Sequence, residues 1–485
     1  MSKTTVLYKD VAPGADENAL SAGIGYSKDS NLSLLPFGVS TEPVITLERN
    51  HWLLNGTFKL RETQQLAFWS TEISDDNGEF SSLPSISFDF SNQYSSTGIT
   101  IVFDQATGDY CKEINVKWYQ SGTVKADVNF YPDSATYFCK QTVTSYDKVE
   151  ITLIKTALPG RYAKIDHVIF GIHRPFGMSE IRSASIVNEM DGIAETLPVS
   201  KFKWTLDSRA DVDFMFQLKQ PVEIRNDENL IGVYYIDEHK RKASRIYDIE
   251  CYDAIGVLDE STFPGGVYSE QSAREIFLSV VGEDFFVDFA EDVVDTQLSG
   301  IIAPGSKREA LQQVIFAWGV SLSTDGSKKI KVFNLDDTAE EIGENRTFTG
   351  VSTNVSSIVT EIRVASHEYS ENENGEIEIG GKKYSDNRSV YVVSNPNVTA
   401  NDKQNVKTFE NATLISSSNV ERIANRIYAW YQRRNTTTAS IVWKGEFLGE
   451  YVKLPNSWSG NSEGNITKME IKLSNTVVSS TTAVG

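Results

Sequence analysis

The residue types able to do chemistry are scattered along this chain. Its five histidines, His51, His167, His173, His239 and His367, fall far apart, and the three cysteines form no CxxC. A metal site needs His, Cys or carboxylates at ligand spacing, and no HExxH or CxxC supplies it. Gly460-Asn461-Ser462-Glu463-Gly464 has the letters of a nucleophile elbow, but that elbow joins a strand to a helix, and here a strand pattern follows. Asp104 and Asp109 flank Gly108 in a loop after a strand, where oxygen ligands could hold Ca²⁺ or form an ordinary acidic turn. Paired carboxylates cleave glycosides, yet with 66 acids a chance pair is inevitable. No phosphate loop or dinucleotide fingerprint occurs between a strand and a helix. The inventory therefore predicts no catalytic residue, no metal and no cofactor. What remains is aromatic: His51-Trp52, Phe68-Trp69, Trp118-Tyr119 and Phe130-Tyr131 offer π-faces on which sugar C–H groups could stack. Trp52, Trp69, Trp118 and Tyr131 are the candidate glycan contacts.

Composition narrows the classes further. The chain has 485 residues, enough for about three domains at roughly 150 residues each. Lys and Arg number 46 against 66 Asp and Glu, a formal charge of −20. Phosphate neutralisation needs clustered cations, so specific nucleic-acid binding is not expected. Apolar residues at 40% and charged residues at 23% fit a folded chain. Cys111 and Cys139 lie in one β-rich region, where a pair and two buried thiols both remain open. The N-terminus lacks a signal-peptide apolar run, and no stretch reaches the roughly 18 apolar residues of a membrane helix.

The elements that must position these residues are mostly strands. Residues 36–178 alternate with period two between turn clusters, through Ser85-Ile86-Ser87-Phe88-Asp89-Phe90, Ile99-Thr100-Ile101-Val102-Phe103 and Ile114-Asn115-Val116-Lys117-Trp118-Tyr119. Regular short strands predict a β-sandwich there, after an N-terminal segment 1–35. Longer strands follow in 179–262, where Phe202, Trp204 and Leu206 alternate, as do Phe214 and Phe216. Residues 263–345 read as a small α/β unit. One helix carries Ala273, Ile276, Phe277, Val280 and Val281 before Gly282; another opens on the capping box Ser306-Lys307-Arg308-Glu309 and stops at Gly319. A hairpin turning at Asp325-Gly326 follows. In 346–485 a helix over 418–434 opens on Ser418-Asn419-Val420-Glu421, a second capping box, and the acidic stretch 368–387 reads as a protruding hairpin or loop.

Two segments echo each other. Leu230-Ile231-Gly232-Val233-Tyr234-Tyr235-Ile236 precedes a polar loop and Ile246-Tyr247-Asp248-Ile249-Glu250-Cys251-Tyr252. Likewise Phe447-Leu448-Gly449-Glu450-Tyr451-Val452 precedes a loop and Ile466-Thr467-Lys468-Met469-Glu470-Ile471. The match predicts a duplicated β-barrel, with Phe214, Phe216, Gly232, Tyr234, Gly449 and Tyr451 as barrel and assembly residues. Three chains carrying two like units each would present six around an axis.

Leu197-Pro198-Val199-Ser200-Lys201-Phe202-Lys203-Trp204-Thr205-Leu206, Phe216-Gln217-Leu218-Lys219-Gln220-Pro221-Val222, Ile301-Ile302-Ala303-Pro304 and the closing Ile466-Thr467-Lys468-Met469-Glu470-Ile471 resemble, in this order, the tail hub proteins of phages and prophages of Gram-positive bacteria. Ser95-Ser96-Thr97-Gly98-Ile99-Thr100-Ile101-Val102-Phe103 with Phe130-Tyr131-Pro132-Asp133-Ser134 resembles a galactose-binding-type jelly roll. The resemblance implies a mainly β fold with a small α/β unit, a β-sandwich and two tube-like barrels. It implies a structural, non-enzymatic homotrimer in the virion tail, joining the six-fold tail tube and distal tail proteins to a spike or tip protein. The sandwich module would then meet host cell-wall glycan. The alternatives are a carbohydrate-active enzyme and a glycan-binding adhesin with an appended module.

Overall fold

The computed structural model describes residues 4–12, 15–16, 18–35, 48, 67–105, 107–208, 216–226, 229–283, 285–324, 329–335, 337–399, 401–456, 460–474 and 476–485. Trp52, Phe214 and the Asp325-Gly326 turn lie outside the described residues. The chain forms two compact units, Tyr8–Arg174 and Met1–Leu7 with Pro175–Gly485. It is mainly β, and the α-helices among the described residues all belong to the second unit.

In Tyr8–Arg174 seven strands form one sheet: β1 (Ala19–Ile24), β2 (Phe68–Trp69), β3 (Ser85–Phe103), β4 (Cys111–Gln120), β5 (Thr123–Phe130), β6 (Thr136–Thr156) and β7 (Lys164–Ile169). Their order is β2-β7-β3-β6-β4-β5, with β1 also on β3. The two runs read as separate strands around Ser-Thr-Gly are the arms of one 19-residue strand, β3. The punctuation makes bulges instead of a break: register against β6 shifts between Asp89 and Tyr94, Tyr94 and Ser96, and Ser96 and Gly98. Bulges bend a strand without ending its pairing. Gly98 is required at this bend, because a Cβ there would lie 2.3 Å from the Cys139 carbonyl oxygen. Alternation buries Ile86, Phe88 and Phe90 on one arm and Ile99, Ile101 and Phe103 on the other. Phe170 closes the core edge-on, 5.0 Å from Phe88 and 4.8 Å from Phe90. Each such side chain contributes about 1.5–3 kcal/mol by leaving water. Cys111 and Cys139 are both free and buried, opposite Thr156 and Ile99 respectively. Burial pushes the Cys111 thiol up to about 12.

The main sheet of the second unit is built twice. The first set is β8 (Ile181–Glu189), β9 (Lys201–Asp207), β10 (Pro221–Asn226), β11 (Asn229–Ala243) and β12 (Ile246–Tyr252). It is ordered β8-β9-β12-β11, with β10 hairpinned onto the first half of β11. Helices α1 (Ala254–Asp259) and α2 (Ala273–Val281), strand β13 (Phe286–Phe289), helix α3 (Lys307–Trp318) and strands β14 (Ser321–Ser323) and β15 (Lys329–Phe333) follow as the α/β region.

Next in the chain are β16 (Glu340–Glu341), β17 (Ser352–Val355), β18 (Glu361–Glu371), β19 (Ile377–Ile379), β20 (Lys382–Ser394), β21 (Val406–Phe409) and α4 (Val420–Tyr431). The chain closes with β22 (Asn435–Val442), β23 (Tyr451–Asn456), β24 (Gly460–Lys472) and β25 (Val478–Val484). Here β17-β22-β25-β24 repeats the order of the first set, and β23 hairpins onto the first half of β24 as β10 does onto β11.

Both α/β helices form as their sequence predicts. All five stripe residues of α2 are fully buried. Ser306 and Glu309 make the reciprocal capping box of α3, and Gly319 ends it at φ 78°. The capping box expected at Ser418 and Glu421 does not form. Asn419 is the cap residue, and its side chain is used backwards, accepting from the Ser416 amide at 2.9 Å and donating to the Leu414 carbonyl at 3.1 Å. From α4, Arg422 donates to the Ala317 and Trp318 carbonyls at the C-terminal end of α3, at 3.1 and 2.8 Å. A cation there is favoured by the helix dipole. One turn on, Arg426 donates to the carbonyls of Gly192, Ile193 and Val320. The stretch 368–387 is a hairpin in a four-stranded sheet ordered β19-β20-β18-β21. Within it, the ring nitrogens of buried His367 lie 2.9 Å from an Asp386 carboxylate oxygen and 3.1 Å from the Glu410 carbonyl oxygen.

Candidate functional site

The two strand sets meet at one seam. Ser185 to Glu189 of β8 pair with Lys472 to Lys468 of β24, placing Ile186 opposite Ile471, both buried. The nine-strand run β17-β22-β25-β24-β8-β9-β12-β11-β10 is therefore continuous. Every junction in it is antiparallel. In each set the four main strands occur in the chain as first, second, fourth and third across the sheet, and four is even. Corresponding strands therefore point the same way.

This assignment shifts the echo read from sequence by one strand. The echo equates β11 with β23 and β12 with β24, but three antiparallel steps separate β12 from β24, so they run oppositely. Connectivity equates β11 with β24 and β12 with β25. Gly460 and Gly464 then lie on the strand corresponding to that of Gly232, whereas Gly449 lies in the turn before β23, at φ 89°. A Cβ on Gly449 would sit 2.5 Å from the Phe333 ring, and one on Gly232 would sit 2.5 Å from the Tyr234 ring. Both glycines are small so that an aromatic can lie against backbone.

Phe216 and Tyr234 come together around one aromatic cluster. Phe216 meets Trp204 at 6.0 Å and Tyr247 at 5.7 Å, and Tyr234 meets Phe202 at 5.7 Å. The Tyr234 hydroxyl donates to Asn188 of β8 at 2.7 Å, and burial raises its phenol pKa. Phe216 is 2% and Tyr234 3% exposed, so both hold the interior of the first set and neither offers a face to another chain. Tyr451 opens β23 opposite Asn465.

A cavity of about 960 Å³ lies across the seam, lined by Leu230 and Ile231 from the first set and by Trp443, Phe447, Met469 and Ile471 from the second. Two of its lining residues are ionisable, Lys444 and Glu446, and Glu446 is tied to Arg346. Beside it Glu450 accepts from the Phe447 amide at 3.2 Å. Burial, with Glu340 and Glu446 adding negative charge, raises its carboxyl to about 7. Asp253, the N-cap of α1, is raised to about 6 by burial. The Asp253 and Glu450 carboxylates both accept backbone amides of local turns.

In Tyr8–Arg174 the predicted glycan contacts separate. Trp118 is fully buried, edge-on to Phe130 at 6.3 Å, so its indole has no face open to a sugar. Tyr131 is 64% exposed, and among the described residues no ring contact joins it to Trp69. Trp69 stands half-buried at a charged cluster, with the Lys164 ammonium 4.8 Å over its ring and Tyr162 at 5.8 Å. Lys164 contacts Glu48 at 2.8 Å, Asp104 at 3.4 Å and Asp109 at 3.6 Å, and Arg161 contacts Asp109 at 3.5 Å. The two aspartates, for which a Ca²⁺ loop and an ordinary acidic turn were both open, thus have protein cations against them. Sequence reasoning missed this cluster because its members, at 48, 104, 109, 161 and 164, share no local spacing. Among the described residues no group of three or more His, Cys, Asp or Glu could hold a metal. No helix among them is long and apolar enough to cross a membrane.

No family model matches the chain, and no curated protein matches it. Solved structures do resemble it, at low identity. A tail protein from Neisseria meningitidis MC58 is 11% identical, with a TM-score of 0.48 over 64% of this chain and 94% of that one. The 43 kDa tail protein of prophage MuSo2 from Shewanella oneidensis is 11% identical, with a TM-score of 0.44 over 64% and 95%. The prophage tail protein gp18 from Listeria monocytogenes EGD-e is 10% identical, with a TM-score of 0.42 over 64% and 91%.

Proposed function

We propose that this chain is a structural hub of a phage tail or phage-tail-like particle. Three copies surround the tail axis, each contributing two like β-modules, near 179–262 and 346–485, so that a trimer meets a six-fold tube. The observation that carries this reading is the repeated connectivity: two four-strand sets of identical order and sense share one antiparallel sheet through β24 and β8. A unit that adds to a copy of itself without reversing is what a ring needs. The sheet goes on beyond β10 through the strand Thr4–Val11, so the next joints are β17 at one end and the part of β11 that β10 does not cover. Ser352–Val355 is wholly exposed, and residues 237–243 of β11 extend past β10, which pairs only as far as Tyr235. Edge-to-edge pairing of these two segments between copies closes the ring and removes two free edges.

The partners in this reading are the tail tube and distal tail proteins on one side and a spike or tip protein on the other. The −20 charge suits a lumen that repels passing DNA. The 8–174 unit is peripheral, with Trp69 and Tyr131 as its cell-wall glycan contacts. Mass photometry of the purified chain tests the assembly: a three-chain mass is expected, and a monomer at every concentration up to the solubility limit overturns it. Binding to cell-wall polysaccharide, weakened by Trp69→Ala and by Tyr131→Ala, is expected of the peripheral unit, and its absence from the intact chain removes that part of the reading.

A further inference from the structure

The insertion in the second module carries a strand edge left open to another protein. Strand β20 pairs with β18 along Tyr384–Ser394 on one side. On its other side only Lys382 to Tyr384 are taken, by β19. Among the described residues no strand pairs with the remaining edge, residues 385–394, about 33 Å of extended backbone. Half the amides and carbonyls of that edge point outward and can be satisfied along a line only by another strand. Natural edges are usually blunted by lysine, proline or a bulge. This one has none of these: its register against β18 runs unbroken, and its core is Ser389-Val390-Tyr391-Val392-Val393. Its one arginine, Arg388, is tied to Asp386 at 2.7 Å. Val390 and Val392 are 57% and 47% exposed on one face, while Tyr391 and Val393 pack inward toward α4. By contrast the outer strand of the 8–174 sheet, β5, carries Lys125 and Asp127 along its length.

Charge decides which strand fits. The slot begins where β19 ends its pairing, and the hairpin tip there carries exposed Glu371, Glu373, Glu376 and Glu378 against Lys382 and Lys383. Lys382 is already paired with Glu371 at 2.9 Å. A second copy paired antiparallel on this edge would lay its Ser394-Asn395-Pro396-Asn397 over those glutamates and bring no cation to them.

We propose that residues 385–394 are a docking edge for an extended segment of a different protein, apolar at every second residue and basic at the end that lies over the hairpin tip. Paired antiparallel, that segment sets its apolar side chains against Val390 and Val392 and its C-terminal basic residues against Glu376 and Glu373. The proposal is independent of how the modules assemble, since it uses neither outer edge of the main sheet.

The test uses the full chain and a synthetic peptide of alternating valine and threonine, matched in length to the edge, with two lysines at its C-terminus. Backbone hydrogen exchange should slow within 385–394 on peptide addition and not in β21. Replacing the peptide lysines by glutamates should weaken binding about tenfold or more. The Val390→Lys, Val392→Lys double variant should lose the protection while keeping the circular dichroism and melting temperature of the parent. Protection that leaves 385–394 untouched, or equal binding of the lysine and glutamate peptides, overturns the proposal. Concentration-dependent protection of the same amides without peptide assigns the edge to a second copy and overturns it as well.

Discussion

The two β-modules keep the same strand connectivity but differ in what interrupts it. Between their first and second strands, the first has the short connection 190–200, while the second has residues 356–434, which hold β18 to β21 and α4. Strand order is fixed because every strand of a shared sheet is a neighbour's hydrogen-bonding partner. A connection at the sheet margin has no such constraint and grows at small entropic cost. In the proposed ring, the repeated strands would set where the chain sits, and the insertion what else it touches.

The sharpest way to break the comparison is at the seam. Ile186→Asp buries a carboxylate opposite Ile471 with no partner, and should cost about 3 kcal/mol or more of stability, read by urea denaturation of the intact chain. If the modules fold apart, the same variant would melt only one of two transitions. Next in size is Thr353→Pro on the exposed β17 edge. It should abolish the three-chain mass while leaving the melting temperature of the single chain within a few degrees, because Thr353 is exposed and gives up only the hydroxyl contact with Thr437, 3.0 Å away. A trimer that survives this variant shows that β17 is not a joint.

A pH effect distinguishes the second module from the first at the cavity rim. The Glu450 carboxyl is raised on folding, so the stability it reflects is full below the usual carboxylate range and is lost as pH rises through about 7. Glu450→Gln should flatten the fall in melting temperature across that window, and an unchanged slope would place the titrating group elsewhere. The raised carboxyl of Asp253 in the first module adds a slope of the same sign, ending near pH 6. The smallest effect is local: Ser306→Ala removes the α3 capping box and should cost about 1 kcal/mol.

Much of the fold was legible because it rests on period and punctuation. The α2 stripe, the Ser306 box and the Gly282 and Gly319 stops are set within a few residues of chain, and all formed as expected. The echo matched strands one place out of step with the strand order that repeats, since consecutive hairpins of alternating residues look alike and only pairing partners tell them apart. The Asn419 side chain departed from the expected box because tertiary closure of the 414–416 turn gave it two better partners. Trp118 illustrates the limit for site residues. Sequence marks an aromatic, but whether its face is open depends on strands distant in the chain.

The central claim, that two like modules per chain close a ring edge to edge, is tested most directly by covalent capture. With Thr353→Cys and Lys240→Cys in one chain and a short bismaleimide linker, the three native cysteines are buried and remain silent. The account predicts a ladder ending in a three-chain species that gives a closed ring by electron microscopy. Recovery of single chains alone, or a ladder ending at two, would contradict it.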